Sequence, residues 1–151
     1  MANKRERQNA ILEVIRTRGI GSQEDLRRVL QHRGWDVTQS TLSRDMKELR
    51  LARVQTPDGA RYTSPEEVAE ERHAALSALL PQLFVRLDGV GVLLVMKTTP
   101  GSAQAAGAAL DAEHSSDLVG TLAGDDTVLL ICRSEAARER LSRRILQLAR
   151  R

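Results

Sequence analysis

The sequence predicts two joined folds: a winged helix-turn-helix, mostly helical with a β-hairpin wing, and a C-terminal α+β domain with a four-stranded antiparallel sheet and two helices. Three short helical patterns and a hairpin pattern fill residues 1–64. Strand-length apolar runs alternate with helical patterns in residues 82–151. Charge divides in the same way: residues 1–64 carry 13 Lys and Arg against 8 Asp and Glu, whereas residues 65–151 carry 10 against 12.

The composition favours a globular protein that meets a polyanion through its basic N-terminal part. Hydrophobic residues make up 41% of the 151-residue chain and charged residues 28%. The longest apolar run is far shorter than the ~20 residues needed to cross a bilayer, and the N-terminus leads into charge, so we expect a cytoplasmic protein without membrane contact. The single cysteine, Cys132, lies in an apolar run and is expected to be buried.

Two amphipathic helices are predicted first. One spans residues 4–18 and ends before Gly19; the other begins at Ser22, where the sequence SQED resembles a capping box, and ends before Gly34. Their apolar stripes are Ile11, Val14 and Ile15 in the first helix and Leu26, Val29 and Leu30 in the second.

The third predicted helix, residues 38–50, has an apolar stripe and a separate polar face. Leu42, Met46 and Leu49 fall on one inward stripe. The opposite face holds amide, hydroxyl and cationic groups without a carboxylate, which suits the major groove of DNA because such groups bind base edges and phosphates. An ordinary solvated amphipathic helix is the alternative. The candidate DNA-binding residues on this helix are Gln39, Ser40, Thr41, Ser43, Arg44 and Lys47.

A basic hairpin is predicted directly after this helix. Strands at 52–56 and 60–63 flank the turn Pro57-Asp58-Gly59. As a wing it would bring Arg53 and Arg61 to the DNA backbone or minor groove; alternatively, it is a flap that covers the helices.

A charged linker that becomes helical is expected at residues 65–81, with the helix ending at Pro81. The remaining chain has the order β-β-α-β-β-α. Strands are predicted at 83–88, 92–98, 118–122 and 127–132, and helices at 102–112 and 135–149.

The turn at residues 120–127 presents the adjacent carboxylates of Asp125 and Asp126, and the preceding helix offers Gln104 and Asp111. Adjacent acids repel, so a nearby cation is favoured. That cation is a metal, a guanidinium or an ammonium; a polar turn with solvated acids is the alternative.

A catalytic arrangement is not apparent in the sequence. The three histidines lie in polar stretches without a nucleophile beside them, and the Gly-rich stretches lack a P-loop signature. Aromatic residues make up 2% of the chain, which argues against a sheet that stacks RNA bases. A Mg²⁺-dependent enzyme with a DNA-targeting domain would lack a nucleophile and a general base. An architectural DNA-binding protein that merely oligomerises remains a further alternative.

Three motifs resemble those of the bacterial arginine repressors. VTQSTLSRDMKEL at 37–49 resembles the recognition helix of that family, and TPGSAQ at 99–104 and GTLAGDDT at 120–127 resemble its two effector loops. Met46 and Leu122 stand where the family often has isoleucine. The resemblance implies a DNA-binding domain at 1–64, a linker at 65–81 and an oligomerisation and L-arginine-binding domain at 82–151.

The resemblance also implies a mechanism, in which L-arginine is the co-repressor of a hexamer made of two trimers and no metal is needed. Arginine-biosynthesis genes would be repressed at palindromic operators, with activation of arginine catabolism as a possible second role. A regulator of the same architecture that responds to another ligand, or to none, is the alternative. The residues carried over to the arginine site are Gln104, Asp111, Ala123, Asp125, Asp126 and Thr127, with Asp125 or Asp126 taking the guanidinium.

Overall fold

The computed structural model describes residues 3–150, and the chain divides into two compact units after Val68. The N-terminal unit has the predicted three helices and hairpin. Each helix begins at a capping side chain: Asn3 and Glu6 form a capping box, Ser22 accepts from the Asp25 N–H, and Thr38 accepts from the Thr41 N–H. The elements are α1 Lys4–Thr17, α2 Gln23–His32, α3 Gln39–Glu48, β1 Ala52–Thr56 and β2 Gly59–Thr63.

The core of this unit consists of the predicted apolar stripes. The helices bury these side chains against one another, and the half-buried Leu49 and Tyr62 pack at the edge. Burial of such side chains is the main stabilising contribution in a unit of this size. The buried set is Ile11, Val14, Ile15, Ile20, Leu26, Leu30, Val37, Leu42 and Met46.

The wing contacts the segment between α1 and α2 through its backbone. The Tyr62 N–H donates to the Ile20 carbonyl at 2.8 Å. A Cβ atom built on Gly21 would lie 2.6 Å from the Ala60 carbonyl oxygen, which is closer than real Cβ contacts allow. The hairpin therefore approaches this segment to a distance that only glycine at position 21 permits.

We expect Gly21→Ala to lower the free energy of unfolding of the N-terminal unit by about 1–3 kcal/mol, because the wing must move away from the Ile20–Gly21 segment. Thermal or urea unfolding followed by circular dichroism measures this. Gly19→Ala is the matched control, since a Cβ atom there meets no atom within 4 Å. Equal loss of stability in both variants would show that glycine flexibility, not the close approach, is responsible.

The C-terminal unit is the predicted α+β domain. Its sheet has the order β3-β4-β6-β5 and all three pairings are antiparallel. Strands β4 and β6 alternate buried and half-buried residues, as expected for strands with one face on a core. Cys132 is buried as predicted. Helix α4, Pro65–Leu83, begins before the division and continues into this unit; the other elements are β3 Phe84–Val90, β4 Leu93–Thr98, α5 Ala103–Ala112, β5 Leu118–Ala123, β6 Thr127–Cys132 and α6 Glu135–Ala149.

Helix α4 corrects one expectation, because it passes Pro81 and ends at Leu83. Proline removes one backbone hydrogen bond, and this cost is small when only the last turn follows. Two further hydrogen bonds stabilise the end of the helix: Gln82 Nε2 donates to the Ala78 carbonyl within α4 at 3.0 Å, and the Thr99 N–H from outside the helix donates to the Leu83 carbonyl at 2.9 Å.

The two faces of the sheet differ. One face packs on α4, α5 and α6 around a core that includes Leu80, Leu94, Met96, Leu130 and Ile145. The other, which we call the outer face, presents apolar side chains that the described protomer leaves half-buried or exposed. In register across the strands, the outer face comprises Val90, Leu93 and Ile131 in one row and Val95, Leu129 and Leu122 in the next.

Candidate functional site

The polar face of α3 lies on the surface of the N-terminal unit. Gln39, Ser40, Arg44 and Lys47 are exposed, whereas Thr41 and Ser43 are half-buried and Leu42 and Met46 are buried beneath them. The two hydroxyls nearest the helix start contact the cap, since Thr38 Oγ1 lies 3.2 Å from Ser40 Oγ and 3.0 Å from Thr41 Oγ1. Two cations and an amide are thus presented on one side of a helix that the apolar core holds from the other side.

Asp45, on the same helix, is buried with only 2% of its surface exposed. Arg7 of α1 binds it with two nitrogens: Nε lies 2.5 Å from Oδ2 and Nη2 lies 3.2 Å from Oδ1. The hydrogen bond with Asp45 raises the pKa of Arg7. Gln8 donates to Asp45 and to Glu48, and Lys4 pairs with Glu48 at 2.7 Å. Helix α1 therefore holds α3 through polar contacts that the sequence analysis missed.

The two wing arginines differ in their surroundings. Arg53 is exposed on β1. Arg61 Nη1 donates to Glu67 Oε1 in the first turn of α4 at 3.0 Å, and Thr63 Oγ1 donates to the other oxygen of that carboxylate at 3.0 Å. Glu67 therefore connects the wing to the start of α4.

The candidate effector residues of the C-terminal unit lie around the start of α5, strand β5 and the β5–β6 turn. Gln104 Nε2 donates to the Ala123 carbonyl at 2.8 Å, and Thr121 Oγ1 donates to Asp111 Oδ2 at 2.8 Å. Helix α5 approaches β5 at Gly107, where a Cβ atom would lie 3.3 Å from the Ala123 Cβ atom. The structure thus brings Gln104 and Ala123 together and places Asp111, two turns further along α5, beside Thr121.

The turn is joined to the same place through its backbone. The Ala103 N–H donates to the Asp125 carbonyl at 3.2 Å, and the Thr98 N–H donates to the Asp126 carbonyl at 2.8 Å. The two adjacent carboxylates then have different surroundings. Within residues 3–150 the exposed Asp125 carboxylate has no hydrogen-bond or ion-pair partner.

Asp126 has a cation partner that the sequence analysis did not identify. Lys97 Nζ lies 2.8 Å from Asp126 Oδ1 and 2.7 Å from Thr127 Oγ1. The hydrogen bond from Lys97, followed by that from Thr127, lowers the pKa of Asp126. Lys97 stands at the polar end of an otherwise apolar strand, which the sequence does show. That it reaches Asp126 depends on its register against Thr127, which the sequence does not show.

Among residues 3–150 no group of three or more His, Cys, Asp and Glu side chains is placed to hold a metal ion. No helix in that range is long and apolar enough to cross a membrane.

Comparison with known proteins finds matches of one family in both units of the chain. The family model described as "Arginine repressor, DNA binding domain" matches residues 2–69, and "Arginine repressor, C-terminal domain" matches residues 80–147. The arginine repressor of Staphylococcus saprophyticus is 44% identical over 149 residues, which is 98% of this chain and 99% of the relative. The arginine repressor of Bacillus subtilis is 41% identical over 97% of this chain and 99% of its own length.

Proposed function

This chain belongs to the arginine repressor family of DNA-binding transcriptional repressors, and from that premise we propose that it represses arginine-biosynthesis genes with L-arginine as co-repressor. In this proposal residues 1–64 bind palindromic operators, residues 65–81 connect, and residues 82–151 assemble the subunits and bind arginine. The protein acts in the cytoplasm, and activation of arginine catabolism is a possible second role. The family consists of DNA-binding regulators, and the proposal assigns no catalytic role to this chain.

The observation that carries the proposal is the uncompensated acidity of the C-terminal site. Within residues 3–150, the Asp111 carboxylate accepts a hydrogen bond only from the neutral hydroxyl of Thr121, and Asp125 has no cation partner. A guanidinium is planar and pairs well with carboxylates. We propose that Gln104, Asp111, Ala123, Asp125, Asp126 and Thr127 form the arginine site, with the backbone carbonyl of Ala123 and the amide of Gln104 already oriented by their mutual hydrogen bond.

The exposed face of α3 supports the DNA-binding part of the proposal. Arg44 and Gln39 have the reach and the donors to contact base edges, whereas Lys47 and the hydroxyls contact phosphates. The proposed contacts on this helix are Gln39, Ser40, Thr41, Ser43, Arg44 and Lys47. On the wing, Arg53 is available to the phosphate backbone, and Arg61 would contact DNA while bound to Glu67 or after leaving it.

The outer face of the sheet supports assembly with further copies of the chain. Leu122 is 65% exposed and Val90 67% exposed, next to the half-buried Val95 and Leu129. Contiguous apolar surface of this kind marks interaction sites. We propose that it packs in a trimer that pairs into a hexamer, with arginine bound where trimers meet. Ligand that binds across such a contact stabilises the assembly by mass action, and linkage requires DNA and arginine to raise each other's affinity equally.

Calorimetric titration of the purified chain with L-arginine, and with citrulline as its uncharged near-isostere, tests the proposal. We expect arginine to bind and citrulline to bind at least about 100-fold more weakly, because an unpaired carboxylate is left in the site. Asp125→Asn should remove the discrimination. Heat from neither ligand would leave a DNA-binding regulator that responds to another ligand or to none.

A second experiment tests the proposed binding to DNA. Genomic fragments captured by the protein with and without arginine should be enriched upstream of arginine-biosynthesis genes only when arginine is present. Capture that is independent of arginine would favour an architectural DNA-binding protein instead.

A further inference from the structure

We propose that Lys97 is a positioning residue of the effector site: it holds Asp126 as an internal partner, so that Asp125 is the carboxylate of the turn left for the cation of the ligand. The inference rests on the proposed binding of arginine and adds to it what sets the charge of the site. Lys97 would thereby select for a ligand with one net positive charge over a dication.

Three side chains form a closed set of contacts. Lys97 Nζ lies 2.8 Å from Asp126 Oδ1 and 2.7 Å from Thr127 Oγ1, and Thr127 Oγ1 in turn donates to Asp126 Oδ1 at 2.8 Å. A single carboxylate oxygen therefore receives both donors. Moving Asp126 onto a ligand would leave the ammonium without its carboxylate and the hydroxyl without its acceptor, and both losses cost free energy.

The backbone fixes this arrangement from both sides. The Thr98 N–H donates to the Asp126 carbonyl at 2.8 Å, and the Gly124 N–H donates to the Thr127 carbonyl at 2.8 Å. Lys97 and Thr127 are direct register partners in the β4–β6 ladder. The register of β4 and β6 thus places the Lys97 ammonium beside Asp126. The pair lies where the β4–β6 ladder ends and the β5–β6 turn begins.

The charged side chains beside Lys97 on the sheet do not compete with it for Asp126. The register partner of Lys97 on β3 is Arg86, which pairs with Asp88 of its own strand at 3.0 Å. The adjacent Asp125 is exposed, and within residues 3–150 it has no partner. One acid of the turn therefore has an internal cation partner, whereas the next is exposed and has no such partner within residues 3–150.

This division has a consequence for selectivity. L-Arginine carries a guanidinium, an ammonium and a carboxylate, a net charge of one, whereas agmatine lacks the carboxylate and is a dication. Loss of the Lys97 charge would free a second carboxylate and favour agmatine relative to arginine. Loss of the Asp126 charge would leave an ammonium beside the ligand and disfavour the dication more than arginine.

The test is a double-mutant cycle on the full-length protein, titrated calorimetrically with L-arginine and with agmatine. Lys97→Gln should shift the ratio of the two affinities about tenfold toward agmatine, and Asp126→Asn should shift it about tenfold toward arginine. The double variant Lys97→Gln with Asp126→Asn should return the ratio to within about threefold of the unsubstituted protein, because the pair is again neutral. A purely structural role for the pair would not move the two ratios in opposite directions.

Arg86→Gln is the matched control, because it removes a cation from the adjacent position of the same row, where the Arg86 and Asp88 side chains are 66% and 67% exposed. Its ratio should stay unchanged. Shifts in the same direction for both single variants, or a double variant as impaired as Asp126→Asn alone, would overturn the inference and place Asp126 on the ligand. Failure of the unsubstituted protein to bind arginine would instead overturn the proposed function, and this inference with it.

Discussion

Asp45→Ala is expected to lower the free energy of unfolding of the N-terminal unit by about 3 kcal/mol, because removing one partner leaves the other charge without compensation in a largely buried place. The Asp45 side chain is 3% exposed and that of Arg7 is 20% exposed. The variant would also lose the polar attachment of α1 to the middle of α3. Urea unfolding of the purified variant, followed by circular dichroism, measures the change.

Asp36→Ala is a suitable control, since it removes an exposed carboxylate from the same unit and should change stability by no more than about 0.5 kcal/mol. The double variant Arg7→Met with Asp45→Leu adds a sharper comparison. Replacing both charges by apolar groups should recover much of the loss, since the pair itself contributes little net stability. A single variant as stable as the control would mean that water or a rearranged Gln8 compensates Arg7.

Leu129→Asp is expected to convert the proposed assembly of subunits into single folded chains. Leu129 lies in the middle of the outer face, between its register partners Val95 and Leu122. A carboxylate at this place would have to be buried without a partner on association, which costs several kcal/mol per subunit. Sedimentation velocity at micromolar concentration should then give the mass of one 16.7 kDa chain.

Gln147→Asp on α6 serves as the control, because it adds the same charge at an exposed helical position away from the sheet. It should leave the assembly unchanged, and circular dichroism should show both variants folded. If Leu129→Asp assembles like the unsubstituted protein, the outer face is not the surface through which copies associate.

Much of the fold is predictable because its signals are local. Ser22 and Thr38 cap the helices they were expected to cap, and the apolar runs predicted as strands at 92–98 and 127–132 form β4 and β6. Pro81 was interpreted too strictly, because the cost of proline depends on how much helix follows it. The extra length of β3 also escaped prediction, since Gly89 and Val90 pair with β4 beyond the predicted end of the strand at residue 88.

The candidate sites were predictable only in part. Polar side chains on α3 and in the effector loops could be assigned to surfaces from spacing and resemblance. The partners of the charged groups could not, because Arg7 reaches Asp45 across 38 residues and Lys97 reaches Thr127 across 30. Such pairs depend on helix packing and strand register. Asp45 illustrates this. Helical spacing places it away from the polar face of α3, but spacing alone does not show that its side chain is buried.

The apolar outer face makes the regulatory response depend on the cellular concentration of this protein. If other copies cover this apolar sheet face, as in the proposed assembly, the assembled fraction of the protein falls on dilution by mass action. The response to the amino acid would then have a threshold set by gene dosage as well as by the nutrient. A cell that halves its synthesis of the regulator would lose more than half of the assembled form.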